Sequence, residues 1–463
     1  MYLLYILYIM KGKDFIMLNL DTDSKYFPFI VKNVNGINYL YTIITNAIFQ
    51  LDFDGESVFV KHEDIEKYPK LKEFCEDNFI LKTDDNIKYI KEIYNKSFEK
   101  KVKSDLNGMT LMISQKCNLK CRYCYGDGGE YQNRGEMTLD TAIKALNFML
   151  NFTKRKDLYI CFFGGEPLMS FNLIKGFIEY MEHNSNFGRE IHYSMTTNLT
   201  LLNENIKRFI NDKNISLTVS LDGDKISNDS NRYFENGNGV YDIVVKNINE
   251  LNKKVLVRAT ISPNNLDIKN SIRHLTTTLN IPNVAWAEAD NLLNDSDYEK
   301  ITNSYLELID YIESLVRKHK YDDVRKYYMY LNVLRKFSSD GIRTKGCGAG
   351  NNMVAVDIDG KLYPCHRFVG LADFIIGDVN NNKYDSKKNY LTDWDLANFS
   401  ECLTCIARNS CGGGCVNQNY YSTGSIRKHS ETNCKYIRKV HERILESYIS
   451  LDDEAKKALI FEN

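Results

Sequence analysis

The sequence predicts an α/β fold built on an open, partial β/α barrel of about six strands, with a small sheet-and-helix module before it and a cysteine-dense domain behind it. Three observations carry this. Short apolar strands alternate with helical segments through the middle of the chain, two β-rich runs flank an Asn-Gly pair near its start, and seven of its 12 cysteines fall in the last third.

At 463 residues the chain is long enough for about three domains. With 43% hydrophobic and 26% charged residues it can bury substantial cores and is no disordered tail. The 60 basic and 61 acidic side chains nearly cancel, so no global basic field marks nucleic acid or a membrane as a partner. The apolar run Met1 to Met10 is too short for a bilayer-crossing helix, which needs about 20 residues. It carries neither a preceding basic residue nor a following small-residue cleavage site, so the chain is expected to be cytoplasmic, with Met10 or Met17 as candidate starts.

The module, 18–100, is read from Phe29-Ile30-Val31, then Asn35-Gly36, then Ile37 to Ile44 and Ala47 to Leu51. Asn-Gly between β-rich runs is a hairpin signal, and a third strand follows at once, giving a meander. Helical spacing over 64–79 and 87–98 completes the module. The barrel, 108–296, is read from strands at Thr110 to Ile113, Leu158 to Phe163, Glu190 to Thr196, Ile215 to Leu221, Val255 to Ile261 and Val284 to Glu288. Strands alternating with helices mean βα units and a parallel sheet, and six are too few for a closed barrel of eight. A helical linker over 297–338, the cysteine-dense domain over 339–440 and a helical tail over 441–463 follow.

After the first barrel strand comes Cys117-Asn-Leu-Lys-Cys121-Arg-Tyr-Cys124. In a reducing compartment such cysteines serve metals or catalysis rather than disulfides. Three thiolates on a loop at the C-terminal end of a parallel strand can hold three irons of a four-iron cluster and leave the fourth open. A zinc knuckle would complete four ligands with paired CxxC or Cys/His spacing, and neither lies nearby in the sequence. With Tyr123 before its third cysteine, the triplet closely resembles the signature of the radical S-adenosylmethionine (SAM) superfamily. The resemblance implies a SAM-cleaving 4Fe–4S cluster on Cys117, Cys121 and Cys124 and a 5′-deoxyadenosyl radical that abstracts hydrogen, with the protein supplying orientation and exclusion of water.

Further motifs follow in the order this family implies. Gly164-Gly165-Glu166-Pro167 ends the second barrel strand and resembles the motif that receives the methionine amino group, its glycines letting backbone approach a ligand closely. Ser220-Leu-Asp222-Gly223 resembles the motif near the SAM ribose and carboxylate, and Arg232 is placed to pair with that carboxylate through a two-pronged fork. Thr197-Asn198 ends the strand between them; Ser220 and Asn198 can also be read as strand-end caps or turn residues.

The second cysteine set runs Cys347, Cys365, Cys402-x2-Cys405-x5-Cys411-x3-Cys415 and Cys434. Thiols this dense in a reducing compartment draw order from metal ligation. The series resembles the seven-cysteine pattern of SPASM domains, which implies two auxiliary 4Fe–4S clusters and three clusters in all. Cys402, Cys405, Cys411 and Cys434 would close one as an electron conduit, and Cys347, Cys365 and Cys415 would hold the other. Many relatives add a cysteine shortly before the first of these, where this chain has Gly341 to Gly346 with none. That inner cluster is expected to keep an iron open for a substrate thiolate, unless an oxygen ligand, His366 or a distant cysteine fills it. Cys75 and Cys161 remain as small buried hydrophobes.

The N-terminal module resembles the winged-helix-like leader-recognition domain of peptide maturases, which captures an extended peptide by adding it to a sheet edge. Cys347-Gly-Ala-Gly with Tyr363-Pro-Cys365-His366-Arg367-Phe368 looks most like sactipeptide and ranthipeptide maturases. The function expected is thioether formation, cysteine sulfur to carbon, in a ribosomally made precursor peptide, with a low-potential donor such as ferredoxin or flavodoxin. The competing readings are a radical dehydrogenase, such as an anaerobic sulfatase-maturing enzyme that generates formylglycine, or a carbon–carbon crosslinking maturase. A non-catalytic electron carrier would need neither Glu166, Ser220 nor Arg232.

Overall fold

Asn35 and Gly36 both take positive φ, 54° and 84°, the turn geometry whose twist matches a two-residue hairpin. They join β1 (Phe29–Val34) to β2 (Ile37–Thr42), and β3 (Ile48–Gln50) completes an antiparallel meander in the order β1-β2-β3. This is a computed structural model that describes residues 24–102, 106–339, 341–385, 396 and 399–461. The run Met1 to Met10 and the candidate start Met17 lie outside the described residues.

The chain divides into two compact units. One takes in Met1–Lys100, Val333–Cys347 and Thr392–Leu451; the other takes in Lys101–Asn332, Gly348–Leu391 and Asp452–Asn463. In the first, the meander is followed by helices Phe53–Phe59, Pro69–Asp77 and Asp84–Val102. The first of these was not foreseen. Asp52 starts it by accepting from the Gly55 N–H at 2.9 Å, and Val58 and Phe59 bury against Leu40, Ile65 and Cys75. The same unit carries the helices Ser400–Leu403, Arg408–Cys411, Val416–Thr423 and Glu431–Ser450.

The second unit is built on β4 (Gly108–Gln115), β7 (Asp157–Gly164), β8 (Glu190–Thr197), β9 (Ser216–Ser220), β11 (Leu256–Ile261) and β12 (Asn283–Glu288). They lie in sequence order and pair in parallel, as the partial barrel requires. Residues 109–115 of β4 are buried throughout, as a strand covered on both faces must be. Two short strands, β5 (Leu119–Cys121) and β10 (Arg232–Phe234), pair with each other, and β6 (Gly135–Glu136) pairs with β4.

Beyond β4 the sheet continues through β13 (Met353–Val356), β14 (Lys361–Tyr363), β15 (Gly377–Asp378) and β16 (Lys383–Tyr384). The stretch 339–440, expected as one domain, is therefore shared between the units. Its middle joins the barrel because β13 pairs in parallel with β4 and the Asn107 and Gly108 N–H groups donate to the Asn352 carbonyl at 3.0 and 2.9 Å. Helices Asp295–Val316, Tyr321–Val324 and Tyr328–Phe337 occupy the expected linker. Among the described residues no helix is long and apolar enough to cross a membrane.

Candidate functional site

The first cysteine loop leaves β4 at Gln115 and is pressed against the end of β7. The Gly165 N–H donates to the Ser114 carbonyl at 2.7 Å and the Glu166 N–H to the Lys116 carbonyl at 2.8 Å. A Cβ on Gly164, whose φ is +142°, would fall 2.1 Å from the Ser114 oxygen, and one on Gly165 would fall 2.2 Å from the Lys116 oxygen. Backbone meeting backbone is by itself enough to require both glycines. Pro167 follows at the start of a short 3-10 turn, Pro167–Ser170.

Burial pushes the Cys117 thiol up to about 12 and Cys121 up to about 11, and the charge of Cys124 adds to both. A tetrahedral zinc with bonds of about 2.3 Å needs its thiolates within about 4 Å of each other. Among the described residues no three cysteine sulfurs lie within 4.8 Å of one another. Thiolates bound to separate irons of one cluster do not need that closeness. Holding iron there means releasing the protons that burial retains.

Two buried carboxylates flank this loop. Glu166 is fully buried and accepts from Thr197 Oγ1 at 2.7 Å, the Asn198 N–H at 2.7 Å and the Leu168 N–H at 3.0 Å. Burial raises it to about 7 against these three bonds. The Asn198 amide donates to Asn118 Oδ1 at 3.0 Å and lies 3.9 Å from Cys117 Sγ, tying Glu166 to the cysteine loop. The second, Asp222, is also fully buried and accepts from Tyr123 OH, from Arg232 Nε at 3.0 Å and from the Thr260 N–H at 2.9 Å.

Arg232 reaches this position because β10 pairs it with Cys121 in β5. Its guanidinium carbon sits 5.1 Å from the Tyr123 ring centre, and its Nη1 lies 4.0 Å from Cys121 Sγ. One edge of the fork expected to meet a SAM carboxylate is therefore spent on Asp222. Ser220 ends β9 opposite Arg258 of β11.

A second group forms around Tyr125, in which the sequence singles out His366 as a candidate cluster ligand but not the aromatic and acidic residues around it. The His366 ring packs 4.5 Å from that of Phe163 and 6.4 Å from that of Tyr125, and the Arg367 guanidinium lies 5.3 Å from the Tyr125 ring centre. Burial, with Arg258 and Arg367 nearby, lowers His366 to about 3 and keeps it neutral. Asp290, just past β12, accepts from Tyr298 OH at 2.7 Å and is raised by burial. Phe163 near the end of β7 and Asp290 just past β12 lie at the C-terminal ends of parallel strands, where barrel sites form, and that was the available signal for them.

In the first unit, Cys402, Cys405, Cys411 and Cys434 form a second set. Burial raises Cys402 and brings Cys411 up to about 11; Cys411, Cys405 and Cys434 add to the first, and Cys405 and Cys434 to the second. Gly412, Gly413 and Gly414 all take positive φ, turning the chain sharply from Cys411 to Cys415. Cys347 and Cys415 belong to this unit, Cys365 to the other. Cys75 is buried in the module core at a pKa of about 12, and Cys161 lies within β7.

The second unit thus joins a three-thiol loop to two buried carboxylates at the C-terminal ends of parallel strands. Residues 111–266 match the radical SAM superfamily, a family whose chemistry uses a 4Fe–4S cluster and SAM. The chain is 22% identical over 466 aligned residues to the radical SAM cyclopropyl synthase TigE of Paramaledivibacter caminithermalis, covering 91% of this chain and 95% of that protein. It is 25% identical over 340 residues to the cysteine-type anaerobic sulfatase-maturating enzyme of Clostridium novyi, covering 65% and 85%. Among solved structures, anSMEcpe with bound AdoMet and Cp18Cys peptide matches with a TM-score of 0.63 at 19% identity, over 76% of this chain and 99% of that one. At that identity the likeness is one of fold.

Proposed function

We propose that the chain is a peptide maturase that forms a thioether between a cysteine sulfur and a carbon of a ribosomally made precursor. In this reading Cys117, Cys121 and Cys124 hold the SAM-cleaving cluster, Cys402, Cys405, Cys411 and Cys434 hold an auxiliary one, and Cys347, Cys365 and Cys415 hold a third. With cluster and SAM bound, the site would supply a 5′-deoxyadenosyl radical. Glu166, fully buried and without a cation partner among the described residues, is suited to hold an ammonium. Asn198 fixes Glu166 against the cysteine loop, and Asp222 with Tyr123 holds Arg232 beside Cys121. The N-terminal meander is suited to take the leader as an added strand.

The observation that carries the thioether reading is the cysteine arithmetic. Cys402, Cys405, Cys411 and Cys434 all belong to the first unit; if they close one cluster, three thiols remain for the inner cluster and one iron for a substrate thiolate. A carbon–carbon bond is the second reading, favoured by the match to the cyclopropyl synthase along nearly the whole of both chains. Formylglycine formation is a third, favoured by the match to the sulfatase-maturating enzyme.

One experiment separates them. Anaerobically reconstituted enzyme is incubated with SAM, dithionite and the cysteine-rich precursor encoded nearest its gene, and the peptide is weighed before and after iodoacetamide. A thioether makes it two hydrogens lighter and removes one alkylatable cysteine. A carbon–carbon bond gives the same loss with every cysteine still alkylated, and formylglycine gives an aldehyde captured by a hydrazide. Deoxyadenosine formed with no change in the peptide rejects all three.

A further inference from the structure

The residues between the cysteines of the four-thiol set are core residues of the N-terminal module. Leu403, between Cys402 and Cys405, packs in one cluster with Phe27, Ile44, Ile90 and Tyr94. Between Cys405 and Cys411, Asn409 donates to the Ile43 carbonyl at 2.7 Å and reaches Tyr41 OH at 3.5 Å. Arg408, 1% exposed, donates to the Cys402 carbonyl at 3.2 Å and to Tyr94 OH. One short loop thus faces thiols with some positions and the meander and helix Asp84–Val102 with others.

Arg408 is buried and its Nε meets no acceptor among the described residues, so its place depends on the loop that carries it. Leu403, Arg408 and Asn409 each lie between two cysteines of the set, so fixing those thiols on iron fixes the positions that fill the module core. Arg438, near Cys405 and Cys434, and Arg343, near Cys411, stand beside the same set.

We propose that iron loading at Cys402, Cys405, Cys411 and Cys434 completes the core of the N-terminal sheet-and-helix module, so that the module is firmly folded only in the iron-loaded protein. Peptide capture would then be withheld from enzyme whose auxiliary cluster is missing or destroyed by oxygen. The inference rests on the four-thiol cluster assigned above.

Hydrogen exchange on the full chain tests it, with iron per chain measured on the same samples. Four samples are compared: reconstituted wild type, chelated wild type, Cys405→Ala/Cys434→Ala, and Cys117→Ala as a control in the other unit. Amides at 40–44 and 87–94 should exchange at least about tenfold faster in the chelated protein and the double variant, while Cys117→Ala stays like the reconstituted wild type. If iron falls in the double variant and exchange at these amides does not change, the inference is wrong and the cluster assignment stands. If the double variant holds as much iron as wild type, the assignment fails and the inference with it. Should the double variant not fold, the two wild-type samples decide: equal exchange with and without iron overturns the proposal.

Discussion

Two sets of thiols lie in two differently charged surroundings. Beside Cys117, Cys121 and Cys124 the buried charges are carboxylates: Asp222 is balanced by Arg232 and Tyr123, but Glu166 meets only neutral donors. Beside Cys402, Cys405, Cys411 and Cys434 the buried charge is the cation Arg408, and the acidic neighbour Glu401 is exposed and bound to His429 at 3.2 Å. In the proposed reading the first set keeps an acceptor for an incoming ammonium and three thiols for four irons. In the same reading the second would close on itself, with four thiols, as suits a group that holds electrons rather than ligands.

The comparison can be broken most severely at Asp222. Asp222→Asn leaves Arg232 buried without a carboxylate and should cost about 3–5 kcal/mol of stability, read by anaerobic urea unfolding of the iron-free protein. A loss near zero would mean that the pair is solvated.

Glu166→Gln comes next. Burial raises the folded pKa above the unfolded one, so the folded state holds its proton more tightly. This contribution is complete below about 4.5 and is lost as pH rises to about 7. The variant should lack that slope, gaining on wild type by at most about 3 kcal/mol at neutral pH. Unfolding curves measured at several pH values check it, and parallel wild-type and variant profiles would contradict it.

Tyr94→Phe removes one acceptor of Arg408 and should cost about 1–2 kcal/mol. Its faster hydrogen exchange should be confined to the first unit. Smallest is Lys32→Ala: Lys32 pairs with Glu442 and lies 3.5 Å from Glu446 at a half-exposed site, so the loss should stay under about 1 kcal/mol by thermal melting and shrink in salt.

The strands and the cysteine spacing were legible because both are local signals. Alternating apolar runs marked all six barrel strands, and Asn35-Gly36 marked the hairpin. What escaped depends on partners distant in sequence. Nothing around Met353 announces that its strand pairs with β4, and nothing around Arg408 announces Tyr94, 314 residues away. Asp222 was legible as part of a motif, but its hold on Arg232 depends on β10 lying against β5. The glycines of Gly164-Gly165 were legible as places needing close approach; what approaches them was not.

The division of labour between the two thiol sets is tested most directly by SAM cleavage without peptide. Reconstituted wild type, Cys117→Ala, and a variant with Cys402, Cys405, Cys411 and Cys434 all changed to alanine are incubated with SAM and dithionite, and deoxyadenosine is measured. The four-alanine variant should retain cleavage within about tenfold of wild type while Cys117→Ala shows none. Equal loss in both variants would contradict the account, because the set assigned to electron storage would then be needed to cleave SAM.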